Sequence, residues 1–472
     1  NISFEKKGDR IVFRLKENGG YYGSQCVRVR IKNFLADSEY HDIKVEDIEG
    51  NIRFENIHFA YEEGEHVLKG LDLWLKKGQK IAIVGATGSG KTTVIRALIG
   101  IFESMGMRVA LCAPTGRAAK RMTELTGREA STIHRLLEVE WDSNDKPVFR
   151  RDASDPLVAG AVIVDEMSMV DAVLMKALLS AVRPGTYFIM IGDVDQLPPV
   201  GAGKVLEDII SSNSVPVIRL TEIFRQAKES KIVMNAHKIN NGEDLCYSNE
   251  NSDFYFLECN NEEKIASIIV DLAHKRIPQA FGLDDNEHIQ VITPTRKSHL
   301  GTRSLNALLQ ERFNPKTVRQ REFEFRGVIF REGDRIMQTR NNYDIPWTKD
   351  DEEGEGIFNG DMGRILKIYP DEEYMEVDFE GRIVAYDFPY LEDLVHSYAI
   401  TVHKSQGSEY PVVIIPIYGY SDRLLTRNLL YTAVTRAKKL LIIVGSAKAV
   451  MTMVDNNRKS GRFTNLRFMI KE

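Results

Sequence analysis

Short apolar runs alternate with helical patterns between about residues 79 and 290. Each run is almost continuously apolar, as expected of parallel strands that helices cover on both faces. The predicted strands are Lys80–Val84, Arg108–Cys112, Ala161–Val164, Tyr187–Ile191 and Val217–Leu220. Helical periodicity over Thr92–Phe102 and Ala172–Ala181 separates some of these runs. The pattern therefore predicts an open, doubly wound α/β layer.

A second, shorter α/β pattern follows, and a different region interrupts it. Its predicted strands are His288–Thr293, Pro411–Pro416 and Leu440–Val444, with a helix at Arg427–Thr435 between the last two. Residues 320–395 instead contain short alternating strands and turn glycines, which predict a small antiparallel barrel inserted into the second lobe. The charged run Lys349–Glu353 inside that region predicts a solvated hairpin loop.

With 472 residues, the chain is too long for one ordinary domain. We expect an N-terminal β-rich segment at 1–78 and a first lobe at 79–285. The second lobe is expected at 286–319 and 396–472, with the barrel at 320–395.

Composition narrows the functional class only slightly. The net charge of −5 does not indicate nucleic-acid binding, so any such binding must use a local groove. The four cysteines lie far apart without a C-x-x-C pair, which disfavours a zinc site or a disulfide framework and fits a reducing compartment. No apolar stretch approaches the roughly 20 residues that span a bilayer. We therefore expect a cytoplasmic protein without a membrane partner.

A glycine-rich loop follows the first predicted strand and opens a helix, which is the context that the G-x-x-x-x-G-K-[ST] motif requires. Backbone N–H groups of such a loop surround phosphate oxygens, and the helix N-terminus adds favourable partial charge. Lys91 is expected to reach the β- and γ-phosphates, and the Thr92 hydroxyl to bind Mg²⁺. The predicted nucleotide-binding residues of this loop are Gly85, Ala86, Thr87, Gly88, Ser89, Gly90, Lys91, Thr92 and Thr93. The motif by itself indicates only a nucleotide phosphate.

Acidic and amide side chains follow two further apolar strands. Ligands bind at the carboxyl edge of such sheets, and Asp165 and Glu166 end the strand 161–164 there. Asp165 is predicted to hold Mg²⁺, and Glu166 to act as general base on the attacking water. Gln196, which follows the strand 187–191, is placed to sense the γ-phosphate or that water.

Eight ordered segments resemble superfamily-one helicases of the RecD-like group. They cover about residues 100 to 450: Ala113–Ala119, Thr132–Leu137, Asp165–Met169, Gly192–Gly201, Leu220–Gln226, Ile292–Lys297, Thr401–Glu409 and Leu430–Ala437. The resemblance implies two RecA-like lobes that clamp ATP with Mg²⁺, and a barrel that lies over the path of the strand. It implies a DNA helicase or translocase that moves on single-stranded DNA, or on a duplex with a single-stranded tail, in the 5′ to 3′ direction.

The resemblance also implies roles for individual residues. Arg225 and Arg436 match the two arginines that reach the γ-phosphate, where a planar fork stabilises charge on the transferring group. A second set falls in segments that face DNA or couple DNA to ATP: Pro114, Thr115, His134, Thr293, Thr295, His403 and Gln406. Other DNA-repair or recombination proteins are the partners that the family suggests.

The first hundred residues depart from that family. Residues 48–61, 67–71 and 78–85 look like an ABC-transporter ATPase domain, in which the residue matching Tyr61 stacks on adenine. The glutamine-bearing segment that helicases of this type carry ahead of the loop is not found. We hypothesise a chimeric chain in which Tyr61 replaces the glutamine contact by stacking on the base. The alternative is that Tyr61 is an ordinary strand residue of an antiparallel sheet.

Three other functions remain open at this point. A transporter-type ATPase would need a Leu-Ser-Gly-Gly-Gln signature, which the chain lacks. A nucleic-acid clamp with impaired turnover is possible if the N-terminal segment disables ATP binding. Backbone contacts discriminate RNA from DNA weakly unless a 2′-hydroxyl is recognised, so RNA is a third alternative.

Overall fold

The structure is a computed structural model. It describes residues 2–7, 10–15, 26–29, 51–60, 66–76, 78–141, 147–220, 229–247, 252–282, 288–350, 352–421, 424–458, 464 and 466–470. Five N-terminal strands form an antiparallel sheet in chain order: β1 (Ile2–Lys7), β2 (Arg10–Leu15), β3 (Cys26–Val29), β4 (Asn51–Ala60) and β5 (His66–Lys76).

The first lobe is a parallel sheet between helices, as its apolar runs predict. Its strands are β6 (Lys80–Gly85), β7 (Val109–Ala113), β8 (Ala130–Thr132), β11 (Ala161–Val164), β12 (Tyr187–Gly192) and β13 (Val217–Leu220), in the order β13-β6-β12-β11-β7-β8. A small antiparallel pair, β9 (Val139–Trp141) and β10 (Pro147–Phe149), lies beside it. The helices are α1 (Lys91–Ser104), α2 (Gly116–Thr126), α3 (Ile133–Leu136), α4 (Ala172–Ala181) and α5 (Val205–Ser212), with a 3₁₀ turn at Met167–Met169.

Both faces of the central strands are buried, which is why β6, β11 and β12 are apolar at almost every position. Ile81 and Ile83 point into one core, together with Ile189, Ile191 and the buried face of α1. Ala82 and Val84 point into the other core with residues of α4 and α5. The predicted strands agree with the observed ones to within one or two residues, but β8 was not predicted.

The second lobe begins earlier than the sequence pattern predicts. Its helices are α6 (Lys231–Asn241), α7 (Glu262–Asp271), α8 (Ile277–Phe281), α9 (Thr302–Phe313), α10 (Arg427–Val434) and α11 (Ala447–Asp455), with a π-helical turn at Leu272–Arg276 and a 3₁₀ turn at Val402–Ser405. Its parallel sheet has the order β14-β27-β26-β15-β25. These strands are β14 (Phe254–Glu258), β15 (Ile289–Thr293), β25 (Ala399–Thr401), β26 (Tyr410–Ile417) and β27 (Ala437–Gly445).

The predicted division between the lobes at residue 285 is therefore wrong. Strand β14 pairs with β27, placing Phe254 opposite Leu441, and Ile232 of α6 packs in the same core as Tyr431. An apolar run shows that a strand exists but not which sheet it joins, because pairing is decided by contacts remote in sequence. The C-terminus also departs from the prediction. Helix α12 (Leu466–Met469) packs against the first lobe, where Thr464 donates to Asp208 of α5.

An antiparallel region interrupts the second lobe, as predicted. A pair, β16 (Glu322–Phe325) and β17 (Val328–Arg331), precedes a seven-stranded sheet. That sheet contains β18 (Arg335–Gln338), β19 (Asn342–Lys349), β20 (Glu352–Ile357), β21 (Met362–Tyr369), β22 (Tyr374–Phe379), β23 (Arg382–Asp387) and β24 (Leu394–His396), with a 3₁₀ turn at Phe388–Asp393. Its order is β20-β19-β23-β22-β21-β18-β24. The charged run joins β19 to β20 as a hairpin, with Lys349 opposite Glu352. Closure of the sheet into a barrel stays a prediction.

Across the part of the chain that the structure describes, no helix combines the length and the apolar character needed to cross a bilayer.

Candidate functional site

The glycine-rich loop lies between β6 and α1, at the carboxyl edge of the first sheet. Gly88 and Gly90 adopt the left-handed conformation, with φ of 80° and 84°. This conformation is open to glycine at little steric cost and turns the backbone around the loop. The Lys91 ammonium folds back over the loop and donates to Gly85 O at 2.5 Å and to Ala86 O at 2.9 Å.

Two features of this loop fit a bound phosphate. The Ser89 hydroxyl is buried, and its Oγ has no hydrogen-bond partner. Such a group costs free energy unless a ligand or water satisfies it. The Lys91 ammonium donates to two neutral carbonyl oxygens of the loop, and charged phosphate oxygens would form stronger bonds with it. The residues of the loop therefore suit a phosphate group of a nucleotide.

Asp165 and Glu166 follow β11 at the same edge of the sheet. Asp165 Oδ1 accepts from the backbone N–H of Glu166 at 2.8 Å, and Glu166 has φ of 52°. Burial, with a further contribution from the negative charge of Glu166, raises the pKa of Asp165 to about 6, and Lys91 opposes that rise. A partly buried carboxylate with few hydrogen-bond donors is well suited to a divalent cation, which would compensate its charge.

Asp193 and Gln196 follow β12, the strand between β6 and β11. Gln196 is buried, and its Nε2 lies 3.5 Å from Asp193 Oδ2. The carbonyl oxygen Oε1 of Gln196 has no partner. An unsatisfied buried amide beside the phosphate loop can accept from a water molecule, which fits the role predicted for Gln196.

The second lobe reaches this site through α10. The Tyr431 hydroxyl accepts from Thr87 N–H at 3.3 Å and donates to Asp193 Oδ2 at 2.7 Å. Thr432 Oγ1 accepts from Leu197 N–H at 2.9 Å. The cleft between the lobes, on which a two-lobe mechanism depends, is thus formed at the phosphate loop itself.

Arg436, two residues beyond the end of α10, is almost completely buried in the second lobe. Its guanidinium donates to Thr432 O, Ser408 O and Thr435 Oγ1, each at 3.1 Å. These bonds hold the side chain within its own lobe in this structure. The other predicted arginine, Arg225, and Tyr61 both lie outside the described residues.

A groove of about 970 Å³ runs between the lobes on the side next to the nucleotide site. Six of the residues predicted to face DNA line it: Pro114, Thr115, His134, Thr295, His403 and Gln406. Five cationic residues also line it, which sequence reasoning did not select: Arg117, Lys204, Arg296, Lys404 and Arg458. The groove thus gives a protein of net negative charge a local cationic surface.

Neighbouring cations and burial change the charge state of this groove. Burial, and then the positive charge of Arg296, lowers the pKa of Lys404 to about 8. The same two causes lower the pKa of His403. Burial lowers the pKa of His134, and the nearby carboxylate of Asp171 opposes it. A polyanion in the groove would favour the protonated form of each group.

Thr293 differs from the other predicted DNA-facing residues. It has no exposed surface, and its hydroxyl donates to Leu300 O at 2.6 Å. In this structure its side chain holds the loop that carries Thr295, and does not line the groove. Position in a motif did not distinguish a residue that faces the groove from one that supports it.

Two residues that sequence reasoning missed lie at the nucleotide site. Tyr431 lies in the segment Leu430–Ala437, which the sequence analysis identified, but its position in that segment does not predict its contact with the phosphate loop. His237 of α6 has a buried Nε2 without a partner. Burial lowers its pKa, while Asp193 acts to raise it and Lys91 to lower it further, so both charges are near. Helix α6 is also fixed to the segment after β12 that carries Asp193, because Asn240 donates to Asp195 at 2.9 Å.

Three family models match successive parts of the chain. An AAA domain matches residues 72–255, the SH3 domain of ATP-dependent RecD-like DNA helicases matches 305–379, and the UvrD-like helicase C-terminal domain matches 396–444. The first match includes the whole phosphate loop. These matches give the ABC-like interpretation of residues 35–100 no support.

Curated relatives cover most of this chain. It is 37% identical over 372 residues to the ATP-dependent RecD2 DNA helicase of Deinococcus radiodurans, covering 78% of this chain and 47% of that protein. It is 30% identical over 423 residues to the RecBCD enzyme subunit RecD of Mycolicibacterium smegmatis, covering 82% of this chain and 71% of the relative. The chain thus spans about half the length of the Deinococcus relative.

Among solved structures, the Pif1 helicase from Bacteroides in complex with ADP-AlF3 and single-stranded DNA is similar to this chain. The TM-score is 0.47 at 20% sequence identity, with 80% of this chain and 91% of that one covered.

Proposed function

The chain belongs to the RecD-like family of DNA helicases, and from that premise we propose that it is an ATP-driven motor that moves on single-stranded DNA and separates strands. Its substrates would be ATP with Mg²⁺ and single-stranded DNA, or a duplex with a single-stranded tail. The family resemblance favours movement in the 5′ to 3′ direction, and DNA-repair or recombination proteins as partners.

One observation carries this proposal. The backbone of Leu197 is held at both ends by second-lobe side chains: Thr432 accepts from its N–H at 2.9 Å, and Gln406 donates to its carbonyl at 3.1 Å. The preceding residue, Gln196, contacts Asp193, which Tyr431 connects to the phosphate loop, and both Gln196 and Gln406 line the groove. A single backbone segment therefore connects the nucleotide site to the groove, which is the link that a motor requires.

The first-lobe residues divide the chemistry of hydrolysis. When bound, ATP supplies the free energy and Mg²⁺ neutralises charge on its phosphates. Lys91 would bind the β- and γ-phosphates, and Thr92 and Asp165 would hold the metal. Glu166 would accept a proton from the attacking water, and Gln196 would orient that water through its unpaired carbonyl oxygen.

The arginines would complete the site when the lobes close. Arg436 would exchange its three bonds within the second lobe for phosphate oxygens, which are stronger acceptors because they are charged. Arg225, which lies outside the described residues, would act with Arg436, as the family resemblance implies. Arginines in such positions contribute a factor of about 10³ or more to turnover.

The groove would hold the DNA backbone. Its cations, hydroxyls and imidazoles suit phosphate contacts that carry no sequence information, as a motor that moves over any sequence requires. Side chains from the first lobe, the second lobe and the inserted sheet all line it, including Pro114, His403 and Asn359. Relative movement of the lobes would therefore act directly on the bound strand.

Steady-state ATP hydrolysis, with and without oligo(dT) at low salt, tests this function. We expect DNA to stimulate turnover strongly, and Lys91→Ala to abolish it while the matched surface variant Lys176→Ala keeps it. Oligo(U) in place of oligo(dT) tests the RNA alternative, and duplexes with a 5′ or a 3′ tail test direction. If the protein binds oligo(dT) but does not hydrolyse ATP, the result would contradict the motor and support the nucleic-acid clamp.

A further inference from the structure

Tyr431 makes a direct connection between the second lobe and the phosphate loop. It lies on α10, is completely buried, and uses its hydroxyl both as acceptor and as donor. Thr87 N–H donates to it at 3.3 Å, and it donates to Asp193 Oδ2 at 2.7 Å. A hydroxyl has one proton and two lone pairs, so both bonds form at the same time.

Both partners of Tyr431 belong to the part of the site that would face a terminal phosphate. Thr87 belongs to the phosphate loop, and its backbone N–H donates to Tyr431. Asp193 lies 3.5 Å from the amide of Gln196, the residue predicted to sense the γ-phosphate or the attacking water. The side chain of Lys91 is likewise engaged with loop carbonyls. Protein acceptors therefore occupy donors that the phosphates of a nucleotide would need.

A phosphate oxygen would replace the phenol at Thr87. Hydrogen bonds to ionised acceptors are about twice as strong as those between neutral groups. A terminal phosphate beside Asp193 also brings like charges together, which disfavours the position of that carboxylate. Burial and the charge of Asp193 raise the pKa of Tyr431, so the phenol stays neutral and remains the weaker acceptor.

We propose that Tyr431 is a positioning residue that competes with the terminal phosphate of the nucleotide for Thr87 N–H, and so reports the third phosphate to the second lobe. This inference rests on the proposed function. Displacement of the hydroxyl frees α10 from the first lobe at this point. The same helix contributes Thr432, which holds Leu197, and leads into Arg436. Release of Tyr431 would thus be transmitted to the backbone of Leu197 and to Arg436.

The test compares nucleotide affinities of the wild type and Tyr431→Phe. The substitution removes the competing acceptor, so a non-hydrolysable ATP analogue should bind more tightly by roughly two- to tenfold, the value of one neutral hydrogen bond. ADP lacks the third phosphate, and its Kd should change less than twofold. DNA-stimulated kcat should fall, because the second lobe no longer responds to that phosphate. Isothermal titration calorimetry without DNA measures the two Kd values.

Matched variants separate this role from a structural one. Tyr386→Phe removes another buried phenol, which donates to Gln338 in the inserted sheet, and should leave both affinities unchanged. Asp193→Asn keeps the shape of the acceptor but weakens the bond from Tyr431, so it should shift the analogue-to-ADP ratio in the same direction. If Tyr431→Phe alters thermal stability but leaves that ratio at the wild-type value, the inference is wrong. If the wild type binds neither nucleotide, the proposed function is wrong as well.

Discussion

Individual cations in the groove differ in how firmly they hold their charge. Arginine remains protonated in proteins, whereas a lysine that is partly buried near another cation can lose its proton at moderately alkaline pH. Lys404 is such a lysine, because burial and Arg296 lower its pKa to about 8. Its ammonium donates to Thr339 O at 3.2 Å and to Asn359 Oδ1 at 2.6 Å, which places it at the junction of the second lobe and the inserted sheet.

Lys404 should make DNA binding sensitive to pH. Only the protonated form of Lys404 attracts phosphate. The affinity for DNA should therefore be highest below the pKa that Lys404 has in the DNA-free protein, and should fall as the pH rises above about 8. Between pH 7 and 9 the loss should be at most roughly tenfold. Fluorescence anisotropy with labelled oligo(dT) measures it. Lys404→Arg keeps its charge and should show a flatter profile; equal slopes for the two proteins would contradict this prediction.

At the scale of elements, α9 fixes the place where the inserted sheet returns to the second lobe. Asn306 is buried on this helix, and its Nδ2 donates to His396 O at 3.1 Å and to Ala399 O at 2.9 Å. Its Oδ1 accepts from Ala399 N–H at 2.7 Å. One side chain thus satisfies three backbone groups at the end of β24 and the start of β25, which are edge strands of their sheets.

Replacing Asn306 with alanine should destabilise this junction. The change leaves buried backbone donors and acceptors unpaired, and each costs about 1–3 kcal/mol, so we expect a loss of at least about 2 kcal/mol. Leu308→Ala removes a side chain on the same helix that is 44% exposed, and should cost less than about 0.5 kcal/mol. Urea unfolding followed by circular dichroism measures both. Similar midpoints for the two variants would show that Asn306 does not hold the junction.

At the scale of the whole molecule, the two lobes make close contact beside the groove. Gly407 has φ of 73°, and a Cβ added there would lie 2.8 Å from Thr115 Oγ1 of the first lobe. Arg117 of α2 donates to Ser408 Oγ and Tyr410 Oη, and Arg121 pairs with Glu409 at 2.5 Å. The segment Thr401–Glu409, which contains residues predicted to face DNA or to couple DNA to ATP, therefore also forms part of the contact between the lobes.

Gly407→Ala should weaken coupling between DNA and ATP. Its methyl group would displace Thr115, whose hydroxyl caps α2 by accepting from Ala118 N–H. We expect DNA stimulation of ATP hydrolysis to fall at least about tenfold, equivalent to about 1.4 kcal/mol. Gly127→Ala is the control, since Gly127 has φ of 66° but open space around a Cβ. That variant bears a similar backbone cost of about 1–2 kcal/mol. If DNA stimulates ATP hydrolysis equally in the two variants, the contact between Gly407 and Thr115 does not control the coupling.

Much of this protein could be predicted from the order of its residues. Continuous apolar runs predicted five of the six described strands of the first sheet, because both faces of its central strands are buried. The loop Gly85–Thr92 could be identified because its glycines, lysine and threonine are adjacent in sequence and act together. Order alone also placed Asp165 and Gln196 at the correct edge of the sheet, because parallel strands of this topology end at one edge.

Tertiary structure decided everything that depends on contacts between distant segments. The assignment of β14 to the second sheet, the return of α12 to the first lobe, the burial of Thr293 and the contact of Tyr431 with Thr87 all join residues remote in sequence. Periodicity records which face of an element is apolar, but it contains no information on the element that covers that face. The local chemistry is therefore determined by residues adjacent in the sequence, whereas the coupling between the two lobes exists only once the chain has folded.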